Sequence, residues 1–244
     1  MTRGAAARSL REHFATRVDA FTSAILVFPL FATYQIGILL GARGRNGADF
    51  ITSGLIEMCR RDLDTYLLLL AGLLIAYGLL LIGLGRTGRF QLRAFLPMLA
   101  EAAVYAFFIS GIINGVLGRF VELVPVLSLG DFGPRDVLVL SAGAGLHEEL
   151  AFRVLLMGGL VRLFALPSMP LGRVAGALFA LVISSLIFSL VHHLGPLGEA
   201  FTPYAFAYRT LAGVVFGSLF WLRGFAVAAW THAIYDVFVL TLGS

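Results

Sequence analysis

Three apolar stretches of this 244-residue sequence carry ionisable side chains where a lipid-facing helix would carry none. A charge near the centre of a bilayer costs about 2.5–3.5 kcal/mol, and polar side chains buried in lipid pair with one another. We therefore predict that Glu148, His192 and His232 share one site. The stretches read Gly-Leu-His-Glu-Glu-Leu-Ala-Phe-Arg over residues 145–153, Phe-Ser-Leu-Val-His-His over 188–193 and His-Ala-Ile-Tyr-Asp over 232–236.

A carboxylate beside an imidazole can hold a water molecule and remove its proton. A second imidazole across the site can polarise a carbonyl group and stabilise the oxyanion. This combination suits hydrolysis of an amide without a protein nucleophile. Glu149 and Arg153 are spaced i, i+4, which favours an ion pair and leaves Glu148 for the site. His193 points about 100° away from His192 on the same helix and is predicted to lie outside the cluster.

Other hydrolytic motifs are incomplete. The zinc motif H-E-x-x-H begins at His147 and Glu148, but Ala151 stands where its second histidine is required. An aspartyl intramembrane protease needs two intramembrane aspartates, and only Asp236 lies inside an apolar run. No Gly-x-Ser-Gly sequence marks a serine site, and the single cysteine, Cys59, lies in or near a connection and excludes an intrachain disulfide.

The elements that position these residues are predicted to be membrane-spanning helices. The sequence is 59% hydrophobic and 13% charged, with a mean hydropathy of +0.92, which excludes an ordinary soluble fold. Continuous apolar runs of about 20 residues predict an all-α, polytopic helix bundle rather than a β-barrel. The seven runs lie near Phe21–Gly41, Thr65–Leu84, Arg93–Leu117, Val137–Leu163, Arg173–His193, Tyr204–Leu222 and Phe225–Leu242.

Residues 1–20 are predicted to form a cytoplasmic basic segment, and residues 21–244 a single transmembrane domain whose motif-bearing core spans 137–242. All 18 basic residues are arginine and lie mostly between apolar runs, so they indicate lipid headgroups rather than nucleic acid as a partner. The arginine bias, counted without Arg153 and Arg209 because these fall within helices, favours a cytoplasmic N-terminus. Seven spans then place the C-terminus outside and open the site toward the extracytoplasmic face.

The three charged stretches together resemble the CAAX-protease and bacteriocin-processing family of intramembrane proteases. The resemblance covers about Leu146 to Asp236 and implies a membrane-embedded chamber, a glutamate-activated water and endoproteolysis near the membrane surface. The motifs that carry it, in order on three helices, are Glu148-Glu149-x-x-x-Arg153, Phe188-x-x-x-His192 and His232-x-x-x-Asp236.

In that family reading, Glu148 is the general base and His192 helps to hold the water. His232 and residue 236 contribute to oxyanion stabilisation. Prenyl-protein members carry Asn where this chain has Asp236, and an ionised Asp cannot donate to an oxyanion. Asp236 is then either protonated or, in the preferred interpretation, accepts a hydrogen bond from His232 and fixes its tautomer. The structural and orienting residues are Glu149, Arg153 and Phe188.

Cofactor and substrate stay open at this point. No cofactor is favoured, but Zn²⁺ is possible because Glu148, His192, His232 and Asp236 would make an acceptable ligand set. The predicted partner is a membrane-embedded or lipid-anchored protein or peptide. Prenylated CAAX proteins are the eukaryotic substrate class, whereas the all-arginine, Ala/Gly/Leu-rich composition is typical of a prokaryotic cell-membrane protein. The alternatives are a catalytically silent scaffold or immunity protein, and a proton-coupled transporter, which would show inverted repeats that we do not detect.

Overall fold

The computed structural model describes residues 17–42, 62–87, 92–118, 132–166, 172–194 and 198–242, together with residues 54, 56–59 and 90. Over these residues the protein is helical and contains no strand. Seven long helical segments coincide, within a few residues at each end, with the seven predicted runs. They are α1 Ala20–Leu39, α2 Leu63–Gly85, α3 Phe95–Leu117 after a 3₁₀ turn at Leu92–Ala94, α4 from Pro134 to Phe164, α5 Arg173–Val191, α6 Pro203–Arg223 and α7 Phe225–Leu242.

Five of these helices are long and apolar enough to cross a membrane: α1, α2, α3 with its 3₁₀ turn, α5 and α6. The α7 helix is also apolar, but its apolar part, Phe225–Thr241, is shorter than the 18 residues required of a candidate span. In α2 only Tyr66 is buried, so nearly all of this apolar helix faces outward. The protein is therefore a multi-pass, all-α membrane protein. Of the basic segment predicted over residues 1–20, residues 1–16 lie outside the described part.

Successive helices run in opposite directions. At one end of the bundle, the Val18 amide before α1 donates to the Arg223 carbonyl at the end of α6, at 3.0 Å. Arg223 also pairs with Glu101 near the start of α3. At the other end, Arg135 at the start of α4 donates to the Leu40 carbonyl after α1, at 3.4 Å. The end where α5 finishes and α6 begins, called here the α5–α6 end, is therefore opposite to the start of α1.

The central helix is α7, which packs against α1, α3, α4 and α6. Its small residues allow close contact, and residues 226–229 are fully buried. Where α4 meets α7, a Cβ added to Gly145 would lie 2.4 Å from the Ala229 carbonyl oxygen and 2.7 Å from the Ala233 Cβ. No larger residue fits there, so Gly145 lets the charged part of α4 approach α7.

The α4 helix is not regular along its length. It begins and ends as an α-helix, at Pro134–Gly143 and Gly158–Phe164, but Ala144–Glu148 and Leu150–Met157 form wide π-helical turns. Such turns insert an extra residue per turn and occur frequently at functional sites. The sequence predicted a continuous run here without these turns. A helix segment that is buried almost all round lacks the polar face that would reveal its period.

Candidate active site

Three helices bring the four predicted site residues together. Glu148 comes from the first π-helical turn of α4, His192 follows the last residue of α5, and His232 and Asp236 lie one turn apart on α7. One oxygen of Glu148, Oε2, lies 3.5 Å from the His192 Nε2 and 3.7 Å from the His232 Nε2. The Asp236 Oδ1 lies 3.7 Å from the same His232 nitrogen. The predicted convergence of these four side chains is therefore present in the structure.

The imidazole of His192 is held by its own helix. Its Nδ1 lies 2.7 Å from the Phe188 carbonyl oxygen. A carbonyl oxygen can only accept, so Nδ1 must carry the proton, and in the neutral ring Nε2 is then an acceptor. This Nε2 faces the Glu148 Oε2 at 3.5 Å, a distance too long for a strong direct hydrogen bond.

His232 is oriented by Glu149. Its Nδ1 lies 2.9 Å from the Glu149 Oε1, which fixes a proton on Nδ1 and turns Nε2 toward Glu148 and Asp236. The sequence interpretation gave this orienting role to Asp236, and the structure corrects it. The spacing on α7 suggested the i, i+4 partner, but a carboxylate on α4 lies closer across the helix interface.

An aromatic ring also fixes the plane of His232. Phe216 of α6 stacks on the imidazole, with ring centroids 4.3 Å apart and planes 10° from parallel. The phenyl ring is fully buried. Sequence reasoning missed this residue, because a phenylalanine in an apolar helix has nothing that distinguishes it from any other core residue.

The predicted Glu149–Arg153 ion pair is confirmed. Arg153 Nε lies 3.2 Å from Glu149 Oε2, and both side chains are completely buried. The guanidinium also lies over the Phe188 ring, 4.7 Å from its centroid, and the same ring contacts His192 at 4.8 Å. Glu149, Arg153 and Phe188 therefore pack together against the two imidazoles. One Glu149 oxygen pairs with Arg153 and the other accepts from His232.

The four side chains of the site differ in exposure. The Glu148 and His232 side chains are 6% and 5% exposed, whereas His192 and Asp236 are 24% and 23% exposed. The accessible groups lie toward the α5–α6 end, where the His192 residue ends α5. A substrate that reaches Glu148 would therefore pass between His192 and Asp236.

The two other histidines near the motifs have structural contacts. The His193 Nδ1 lies 3.3 Å from the Glu199 carbonyl oxygen, and its ring contacts Phe201, so it lies outside the cluster as predicted. His147 bonds through Nδ1 to the Gly143 carbonyl oxygen at 2.9 Å and packs its ring against Tyr34. Both fit the interpretation of a hydrogen-bonding group inside a helix bundle.

Among the residues that the structure describes, no group of three or more His, Cys, Asp or Glu side chains has an arrangement suited to a metal ion. Cys59 is buried, and in the sequence it lies between α1 and α2. The cluster therefore offers a carboxylate, two imidazoles and a second carboxylate as its chemical groups.

Residues 133–238 match the family model described as Type II CAAX prenyl endopeptidase Rce1-like. The matched segment is less than half of the chain and contains all three motifs, the helices α4 to α6 and most of α7. No curated protein and no solved structure matches the chain. The match agrees with the family resemblance of the motifs and indicates a protease.

Proposed function

We propose that this protein is an intramembrane endopeptidase that hydrolyses a peptide bond of a membrane-anchored substrate with a water activated by Glu148. One observation carries the proposal: a single buried oxygen of Glu148 faces the Nε2 atoms of two imidazoles from two other helices. The match of residues 133–238 to a family of endopeptidases supports the same reaction.

In this mechanism the water lies between Glu148 and His192. It donates a hydrogen bond to the Glu148 carboxylate and is oriented by the His192 Nε2. This nitrogen is an acceptor because the proton of the ring lies on Nδ1, which donates to the Phe188 carbonyl. The water oxygen attacks the substrate carbonyl carbon while Glu148 takes its proton. Glu148 then returns that proton to the amide nitrogen as the carbon–nitrogen bond breaks. General-base catalysis of this kind contributes about 10²–10⁴-fold to the rate.

His232 is the proposed oxyanion donor. In its protonated form the ring donates through Nδ1 to Glu149 and through Nε2 to the oxygen of the tetrahedral intermediate. Asp236, 3.7 Å from that Nε2, supplies a negative charge that stabilises the imidazolium. Stacking on Phe216 keeps the ring plane fixed while the charge develops.

We propose the metal-free route, in which Glu148 itself activates the water. The alternative is Zn²⁺ held by Glu148, His192, His232 and Asp236. The two routes differ in a simple measurement. Treatment with a strong chelator, followed by its removal, should leave the hydrolysis rate of the metal-free enzyme unchanged and should abolish that of a zinc enzyme.

The substrate class is proposed to be a peptide anchored in the membrane close to its cleavage site. Accessible groups of the site lie toward one end of the bundle, so the substrate is expected to enter from that end. A farnesylated peptide ending in the CAAX sequence is the first probe, because the matched family is described by that activity. Bacterial lipopeptides and C-terminal sorting peptides are the second set.

The experiment is cleavage of these probes by the purified full-length protein in lipid nanodiscs, with products identified by mass spectrometry. Hydrolysis in H₂¹⁸O should place one ¹⁸O atom in the new carboxylate of the product. A folded protein that cleaves none of the probes would favour the silent scaffold. Proton flux through the protein in sealed vesicles, without cleavage, would favour the transporter.

A further inference from the structure

We propose that Arg209 of α6 is a carboxylate-binding residue of the substrate site, and that it holds a carboxylate of the bound peptide beside the scissile bond. This inference rests on the proposed protease function and deepens it, because it assigns one chemical feature of the substrate. The carboxylate is either the C-terminus of the peptide or an acidic side chain near it.

Arg209 lies on α6, which packs against both α5 and α7. Its partner Glu199 is hydrogen-bonded to the end of α5, where His192 lies.

The partner of Arg209 is a carboxylate from the chain itself. Arg209 Nη2 pairs with Glu199 Oε1, and the Glu199 amide donates to the His192 carbonyl oxygen at 2.9 Å. Glu199 therefore fixes a carboxylate directly beside the end of α5. The guanidinium therefore binds a carboxylate at this position.

This ion pair is incomplete and accessible. Only one oxygen of Glu199 bonds to Arg209, and the other, Oε2, has no hydrogen-bond partner among the described residues. The two side chains are 18% and 23% exposed. A guanidinium binds a carboxylate best with two parallel hydrogen bonds, so an incoming carboxylate that offers both oxygens can displace Glu199.

The Glu101–Arg223 ion pair of the same bundle differs from the Arg209 pair in its number of hydrogen bonds. Arg223 donates from Nε and Nη2 to the two oxygens of Glu101, at 2.6 and 3.0 Å, and both side chains are at most 7% exposed. Tyr105 adds a third hydrogen bond to the same carboxylate at 2.8 Å. The Arg209–Glu199 pair has a single hydrogen bond to its carboxylate instead of three. A charge within a membrane helix nevertheless costs free energy to retain.

The test measures binding, so that it does not depend on catalysis. In a Glu148→Gln background, fluorescence anisotropy gives the Kd of a labelled farnesylated peptide in three forms: free C-terminal carboxylate, C-terminal amide, and amide with a glutamate at the last position. We expect the first form to bind at least tenfold more tightly than the plain amide if the C-terminus is the ligand. The third form should bind as tightly as the first if a side-chain carboxylate is the ligand of Arg209.

Arg209→Gln should remove the preference for the carboxylate and leave the affinity for the amide unchanged. Arg162→Gln, which changes an exposed arginine outside the site, is the matched control and should retain the preference. Glu199→Gln removes the internal competitor and should tighten carboxylate binding several-fold, a gain that a purely structural ion pair does not produce.

Equal affinity of the parent protein for all three peptides would overturn the proposal. So would an equal loss of acid and amide binding in Arg209→Gln, or weaker acid binding in Glu199→Gln. These outcomes are separate from the failure of the proposed function. A protein that prefers the carboxylate peptide but never cleaves it, with Glu148 intact, retains the Arg209 assignment and loses the protease.

Discussion

At the scale of single residues, two adjacent carboxylates on α4 have different surroundings. Glu149 is completely buried and shares its oxygens between Arg153 and His232. Glu148 faces the two Nε2 atoms and lies beside the accessible groups of the site. The first arrangement stabilises the fold and orients a ring, and the second suits proton transfer.

Glu149→Gln should therefore destabilise the protein. The substitution leaves the Arg153 guanidinium buried without its counter-charge, and breaking a buried pair costs about 3–5 kcal/mol. Thermal unfolding in detergent should show a clearly lowered Tm relative to the exposed control Glu57→Gln. An unchanged Tm for Glu149→Gln would mean that the ion pair contributes little to folding.

The residues of the site were predictable to different degrees. An ionisable group that is isolated in lipid costs free energy, so such groups on apolar helices pair with one another. The convergence of Glu148, His192, His232 and Asp236 was therefore predictable. The residue that fixes the tautomer of His232 was not predictable. Spacing along α7 favours Asp236, but the contact between α4 and α7 makes Glu149 the partner. Arg209 was placed within a helix, but its pairing with Glu199 depends on how the chain returns after α5.

At the scale of helices, the π-helical turns of α4 and the glycine next to them position the carboxylates. Gly145 lies within the first wide turn, and its missing side chain allows α4 to approach the backbone of α7 at Ala229. Glu148 and Glu149 follow on the same helix. The distances between α4 and His232 therefore depend on this close approach.

Gly145→Ala should push α4 away from α7, because the new Cβ would meet a backbone carbonyl that cannot rotate aside. Overpacking of this kind costs about 1–3 kcal/mol, and here it should also lengthen the contacts of His232 with both glutamates. Cleavage should fall together with Tm. Gly159→Ala, on the same helix with open space around it, is the control and should retain both. Full activity in Gly145→Ala would contradict the proposed dependence on close packing.

The helix boundaries were the most predictable part of the fold. Apolar runs of about 20 residues separated by Arg, Gly and Pro place each of the seven helices within a few residues. Length and composition do not reveal which faces meet. The central position of α7 and the outward position of α2 follow from the size of individual side chains, above all the small residues at 226–229.

At the scale of the whole molecule, the alternating direction of the helices gives the bundle two distinct ends. The α5–α6 end carries the accessible residues His192 and Asp236, and the opposite end carries the Glu101–Arg223 pair. The sequence prediction of a cytoplasmic N-terminus then assigns the site to the extracytoplasmic side. Most arginines behind that prediction lie outside the described residues.

Cysteine labelling in intact cells tests this orientation. Cys59 is the single cysteine, so Cys59→Ala gives a background without thiols. In it, Ala200→Cys near the site should react with a membrane-impermeant maleimide, whereas Thr87→Cys at the end of α2 should react only after permeabilisation. Both positions are exposed. The reverse pattern would place the site on the cytoplasmic side, and labelling of both in intact cells would contradict the alternation of the helices.

The central claim is that Glu148 activates the hydrolytic water, and its most direct test is the turnover of Glu148→Gln in a folded sample. The substitution is nearly isosteric, so Tm should stay close to that of the parent protein and of Glu57→Gln. An amide cannot take a proton from water, so kcat should fall by at least about 10²-fold. Near-normal kcat in folded Glu148→Gln would contradict the claim. If an equally folded Glu149→Gln were inactive at the same time, Glu149 would be the base.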